Sequence, residues 1–233
     1  MKWHAEVLPR TYFPRHAQNR MRSEGDLWRA RAEYLSGRHK NLRHLLANRY
    51  KWMNGFINYT DLVVEIGTGF GISQDFIKIN MIKTDIIQCP WIDVCMDGLN
   101  LPFGADAIDV IICTNVLHHF SSPIQFLIGV QRCLKPGGHI LLFEPNPSFL
   151  LLLALRMMRH EGWSFEVDVF DPTALASDPT DPWAGNNAVS DLMFRDRSLF
   201  EENLRGFEIV QDSFSECLMF PLSGGVTAKI KTF

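Results

Sequence analysis

Apolar residues recur along this chain first at helical spacing and then in short blocks separated by glycine-rich and proline-rich punctuation. From Asp26 to about Ala47, Leu27, Ala30, Ala32, Tyr34 and Leu35, then Leu42, Leu45 and Leu46, stand among charges in the pattern of one amphipathic helix. Asn54 to Asp61 breaks that pattern. Leu62-Val63-Val64-Glu65-Ile66 is a short β-branched run ending at glycines, which predicts a strand. A short helix over Ile72–Ile79 follows, then strands at Met81–Thr84, Ile92–Cys95 and Ile108–Cys113. Pro123 to Leu134 predicts a helix, stopped by Lys135-Pro136-Gly137-Gly138, and His139–Phe143 a fifth strand.

Strands alternating with helices predict a parallel sheet clad on both faces. Beyond Glu144 the rhythm weakens. Phe149 to Arg159 is an apolar helix with a basic end. Glu161 to Asn187, rich in Asp, Pro and Gly, reads as a long loop and a candidate substrate lid. Asp191 to Leu204 predicts a helix, and Phe207–Phe214 and Val226–Thr232 two last strands. The expectation is an α/β fold with a doubly wound, mostly parallel seven-stranded sheet and an N-terminal helical extension. Residues 1–55 form that basic extension, and 56–233 a Rossmann-like domain with a lid insertion at about 146–195.

The 233 residues, 46% apolar and 21% charged, suit one such domain with an extension. The net charge of −3 names no partner, but Lys and Arg crowd the stretch from Lys2 to Lys51. That stretch reads either as a solvated helical face or as a surface for an anionic substrate or lipid headgroup. The five cysteines include no CxxC pair, so the sequence suggests reduced thiols and no zinc site. The longest apolar run, Phe149 to Leu155, is too short to span a bilayer, and Met1-Lys2-Trp3-His4 does not open a signal peptide. A cytoplasmic protein is expected.

The most informative segment is Glu65-Ile66-Gly67-Thr68-Gly69-Phe70-Gly71, directly after a strand. Ligands of open α/β sheets bind beyond the C-terminal ends of strands, where glycines allow close backbone approach. The GxGxG spacing, with an acid two residues ahead, differs from the GxGxxG that seats a pyrophosphate on a helix N-terminus. Asp85 ends the second strand, where an acid can accept both ribose hydroxyls, or simply caps a turn. Asp97, followed by Gly98 and Leu99, ends the third strand, where a carboxylate can accept from an adenine amino group, or serves as a turn former.

With Leu101-Pro102-Phe103, Asp109-Val110-Ile111-Ile112, Val116-Leu117-His118-His119 and Leu134-Lys135-Pro136-Gly137-Gly138, these segments resemble the class I S-adenosylmethionine-dependent methyltransferases of small-molecule type, from Val63 to about Pro145. The resemblance implies that Gly67, Thr68 and Gly69, with Gly71, line the methionine portion of the cofactor. It implies that Asp85 holds the ribose, that Asp97 with Gly98 and Leu99 contacts the adenine, and that Asn115 flanks the ligand. Glu65 acts through water or by fixing the loop. Asn186-Asn187 to Phe194 and the tail from Pro221 to Val226 are more loosely similar to methyltransferases of surface-polysaccharide biosynthesis. The chain stops soon after Gly225, so a short or truncated member is expected.

Transfer from a sulfonium needs positioning first and a base only where the acceptor loses a proton. His118 and His119 follow the fourth strand, and His119 is favoured as that base; capping or packing is the plain alternative for either. Glu144, at the end of the fifth strand, is a second candidate base, or else a loop acid. The Thr114-Asn115-Val116-Leu117 segment lacks the tetrapeptide that grips a planar amino nitrogen in amino-methylating relatives, so no nucleic acid is expected as substrate. The acceptor is expected to be a small molecule or glycan precursor, methylated at oxygen or carbon, by a monomer or homodimer without a metal. If the Phe149–Leu155 helix covers the acceptor, Arg156 and Arg159 can meet an acidic group on it. A nicotinamide-dependent oxidoreductase and a non-catalytic assembly partner are the rival readings.

Overall fold

The computed structural model describes residues 8–14, 26–37, 40–159 and 161–216. Cys217, His160, the Val226–Thr232 segment and the Pro221–Val226 tail lie outside the described residues.

A five-stranded parallel sheet forms the centre. Its strands are β2 (Val63–Ile66), β3 (Ile82–Asp85), β4 (Val94–Cys95), β5 (Ile108–Thr114) and β6 (Leu134–Phe143), in the order β4-β3-β2-β5-β6. The order reverses direction between β2 and β5, and a crevice opens above such a switch point. Successive side chains of a strand face opposite sides of the sheet. Val64, Ile111 and Cys113 join α3 (Pro123–Cys133) in one core, while Val63, Val110 and Ile112 join the N-terminal helices in another. Ile111 and Ile112 are fully buried, and each such side chain contributes on the order of 1.5–3 kcal/mol.

The fold class is the expected one, but among the described residues the sheet has five strands where seven were expected for the whole chain. Phe207–Phe214 forms no strand and joins no ladder among the described residues, and Val210 and Phe214 are exposed. Residues Gln211 to Glu216 instead line the crevice.

The single N-terminal helix is two. Asp26 caps α1 (Leu27–Leu35) by accepting from the Arg29 amide, and Gly37 turns the chain at φ 71° before α2 (Lys40–Met53). The expected Ile72–Ile79 helix is a 3-10 turn at Ser73–Asp75. Side chains there are drawn away from a helical pattern: Ser73 donates to Glu65, and Asp75 accepts from Tyr34 and Arg43. The strand after α3 begins at Leu134, and the Lys135–Gly138 segment bulges between the Ile108–Leu134 and Val110–His139 pairs.

The region beyond β6 starts with α4 (Phe149–Met158), capped by Ser148 and ended by Arg159 in the left-handed conformation. A two-residue strand, β7 (Trp163–Ser164), pairs antiparallel with β1 (Thr11–Tyr12) and ties the N-terminal segment to the predicted loop. The expected Asp191–Leu204 helix is interrupted, because Asp196 caps a second one: α5 is Val189–Phe194 and α6 Arg197–Asn203. No helix of the described residues is long and apolar enough to cross a membrane.

Candidate active site

The loop after β2 is held from below. Glu65 is buried, and one carboxylate oxygen, Oε2, accepts from Thr68 Oγ1 at 2.8 Å and Ser73 Oγ at 2.5 Å. Burial raises its pKa above the ordinary carboxylate range, and the two hydroxyls only partly offset this. Gly67, Gly69 and Gly71 all take positive φ, of 71°, 58° and 73°. A Cβ on Gly67 would lie 2.4 Å from Val116, whereas one on Gly69 would meet nothing within 4 Å. The loop therefore needs glycine conformationally and leaves space above Gly69.

Asp85 fixes that loop from the neighbouring strand end. Its Oδ2 accepts from Gly69 N at 2.8 Å and its Oδ1 from Ile87 N at 2.9 Å. Burial is the first influence on its pKa and raises it. Asp97 folds its own turn, accepting from Leu99 N and Asn100 Nδ2, and Phe120 packs against Gly98. Asn115 leaves β5 at φ 56° and is exposed.

A cleft of about 1330 Å³ joins these groups, lined by Glu65, Gly67, Thr68, Gly69, Asp85, Asp97, Gly98, Leu99, Asn115, His119 and Glu144. Gly71 is not on its wall; it packs beneath the Trp91 ring. Glycines with room above them, and two acids at adjacent strand ends, fit an adenosyl cofactor carrying a ribose and an amino acid.

The N-terminal helices brace this wall. Arg31 Nη1 donates to the carbonyls of Phe70 and Gly71 at 2.8 and 2.9 Å and lies over the Trp91 ring. Trp91 Nε1 donates to Gly69 O. Arg49 forms a two-pronged pair with Glu216, at 2.7 and 2.6 Å, and both residues line the cleft. Arg31, Arg43 and Arg49 are thus engaged within the fold. Arg156 and Arg159 are exposed and off the cleft wall, so they do not face an acceptor there.

At the far side of the cleft a 3-10 turn, Leu117–His119, presents two imidazoles. Glu144 organises it. Its Oε1 accepts from the amides of Val116 and Leu117, each at 2.8 Å, and its Oε2 from His118 Nδ1 at 2.6 Å. Glu144 is therefore a positioning group whose oxygens are already committed. His119 Nδ1 lies 3.2 Å from the Ala184 carbonyl, and the Glu161 carboxylate faces the Nε2 atoms of both rings.

The two histidines are pushed apart electrostatically. Burial works against a charge on His118, but the Glu144 carboxylate, with Glu161 behind it, outweighs this and holds the imidazole above its ordinary pKa. Burial, then the neighbouring His118 charge, holds His119 below its own. The sequence reading had favoured His119 and passed over Glu161, Arg31, Trp91 and Phe120. Glu161 lies far along the chain in an irregular segment, where no local pattern marks it.

Residues 60–142 match the family described as Methyltransferase domain. That match spans about a third of the chain and is to a methyltransferase domain, of the kind whose cofactor is S-adenosylmethionine. Among curated relatives, the highly reducing polyketide synthase Preu5 of Preussia isomera is 33% identical over 99 residues, 41% of this chain and 4% of that protein. The probable tRNA methyltransferase 9B of Homo sapiens is 30% identical over 98 residues, 35% of this chain and 21% of that protein. The solved YcgJ protein of Bacillus subtilis is 23% identical, covers 51% of this chain and 61% of that one, and has a TM-score of 0.39. The chain spans only about 4% of the length of the first polyketide synthase relatives it matches.

Proposed function

We propose that this protein transfers the methyl group of S-adenosylmethionine to an oxygen or acidic carbon of a small acceptor with an apolar part. One observation carries the reading: a single cleft is bounded by the Gly67–Gly69 loop, Asp85 and Asp97 on one side and by His118, His119 and Glu161 on the other. The cofactor supplies a methyl already activated by the sulfonium. The protein's share is to hold acceptor and methyl in line and to take up any proton the acceptor loses.

In this reading Gly67, Thr68 and Gly69 receive the methionine portion. Asp85 accepts from the ribose hydroxyls, Asp97 with Gly98 and Leu99 meets the adenine, and Asn115 flanks the ligand. The histidine and Glu161 cluster receives the acceptor's proton; His119 is its more accessible imidazole, with 22% of its side chain exposed against 3% for His118. Leu150, Leu151, Ala154 and Leu155 of α4 supply apolar wall for the rest of the acceptor. Polyketide synthases among the relatives agree with an acceptor that carries a hydrocarbon chain. Residues 1–55 act as a cap and about 146–195 as the acceptor-binding insertion.

Calorimetric titration with S-adenosylhomocysteine, and separately with NADH, tests the reading. Micromolar binding of the first, lost in Asp97→Ala, is expected. Binding of NADH alone would overturn it in favour of an oxidoreductase, and binding of neither would favour an assembly partner.

A further inference from the structure

The donor atoms of His118, His119 and Glu161 all lie within 4.8 Å of one another at the acceptor end of the cleft. We propose that these three side chains bind one divalent transition-metal ion.

The orientation of the rings carries the argument. A carboxylate or carbonyl oxygen can only accept, so His118 Nδ1, 2.6 Å from Glu144 Oε2, and His119 Nδ1, 3.2 Å from Ala184 O, carry the protons of the neutral rings. Both Nε2 atoms then face the Glu161 carboxylate, His118 Nε2 at 3.5 Å from Oε2 and His119 Nε2 at 3.8 Å from Oε1, and the ion takes the place of the proton that the flanking carboxylates favour on His118. An ion held at roughly 2.0–2.2 Å by three such atoms needs them about 3.3–3.5 Å apart; the imidazole–carboxylate distances are already near this, and the widest separation, up to 4.8 Å, closes by roughly 1 Å as the side chains turn onto the ion.

The outer partners that metal-binding residues use are also present. Glu144 and the Ala184 carbonyl fix the two tautomers, and Asn187 Nδ2 donates to Glu161 Oε2 at 2.9 Å. Two imidazoles and one carboxylate suit zinc, iron(II), cobalt(II) or manganese(II) better than calcium or magnesium, which take mainly oxygen. All three residues line the cleft, so the remaining coordination positions open onto the acceptor. That role rests on the methyl-transfer reading. It selects acceptors with an oxygen at or beside the methylated atom, such as an enolisable carbonyl or a hydroxyl. The binding of the ion rests on the side-chain geometry alone.

The test is titration of chelator-treated protein with cobalt(II), followed by visible d–d absorption and by calorimetry. One ion per chain is expected, with affinity at least tenfold weaker in His119→Gln and in Glu161→Gln. Because either substitution can loosen the turn, a second readout uses the wild-type chain. Zinc(II) should shift the 15N resonances of Nε2, and not mainly of Nδ1, in both His118 and His119. No cobalt(II) absorption in the wild type, affinity unchanged in both variants, or unmoved Nε2 resonances would overturn the proposal. S-adenosylhomocysteine binding is measured alongside. Its loss with cobalt(II) binding intact would sink the methyl-transfer reading and leave the ion site standing; the converse result would sink only the ion site.

Discussion

Replacing Glu144 with Gln separates orientation from packing, because the two side chains have nearly the same shape. The native carboxylate accepts at both ends: Val116 N and Leu117 N on Oε1, and His118 Nδ1 on Oε2. Glutamine keeps one accepting oxygen. Turned toward the two amides, it retains both backbone bonds and sets its NH2 against His118 Nδ1. The imidazole must then accept at Nδ1 and carry its proton on Nε2, pointing at Glu161. A charge-assisted bond becomes a neutral one, at about 1–2 kcal/mol. For a chain of this size that lowers Tm by roughly 2–8 °C. Glu144→Ala instead leaves two amide N–H groups and an imidazole N–H without their acceptor. With three donors at about 1–3 kcal/mol each, the loss is roughly 3–9 kcal/mol where water reaches none of them. The assays are thermal unfolding, S-adenosylhomocysteine calorimetry and the 15N shifts of His118. Glu144→Gln should bind the cofactor product as the wild type does, show the His118 proton moved to Nε2, and lose methyl transfer and cobalt(II) binding by 10-fold or more. An unchanged tautomer and unchanged kcat in Glu144→Gln, with Glu144→Ala costing under about 1 kcal/mol, would refute the positioning role.

Two further predictions concern the cofactor wall and the acid limit of stability. Gly67→Ala places a Cβ 2.4 Å from Val116 at a φ of 71°, so about 1–3 kcal/mol of strain should appear in thermal unfolding; S-adenosylhomocysteine affinity should fall more than tenfold, and wild-type affinity would contradict the loop assignment. The Lys135 ammonium, and then the Leu62 amide, hold Asp109 below the usual carboxylate range. The stability this contributes is present above the unfolded pKa of about 3.9 and is lost as pH falls through the lower folded value. Asp109→Asn should therefore unfold more easily than the wild type at neutral pH, with the difference shrinking below about pH 4. A difference in Tm that stays constant from pH 7 to pH 3 would show that the charge plays no part.

The sheet was legible because its signal is local. Val63, Val64, Ile111 and Ile112 are buried whichever way they face, so β2 and β5 read as continuous apolar runs, and the glycines that must turn at β2's end follow at once. The departures arose where a distant partner redirected a segment. Ser73 and Asp75 answer to Glu65, Tyr34 and Arg43, so a stretch with helical spacing makes a single 3-10 turn. Phe207–Phe214 has strand-like composition but joins no ladder among the described residues. The same distinction runs through the site. The glycine loop, Asp85 and Asp97 each sit where a strand ends, a position that sequence marks. The imidazole orientation depends on Glu144 at the end of β6, on Glu161 beyond α4 and on the Ala184 carbonyl in an irregular segment. No spacing rule links these residues, because the parallel sheet and the β1–β7 pairing bring them together only after the chain has folded. In the proposed reading, cofactor recognition is thus written in local turns. Acceptor chemistry is written in contacts between the sheet and the region that follows it, and substitutions at Glu161 should alter the second without touching the first.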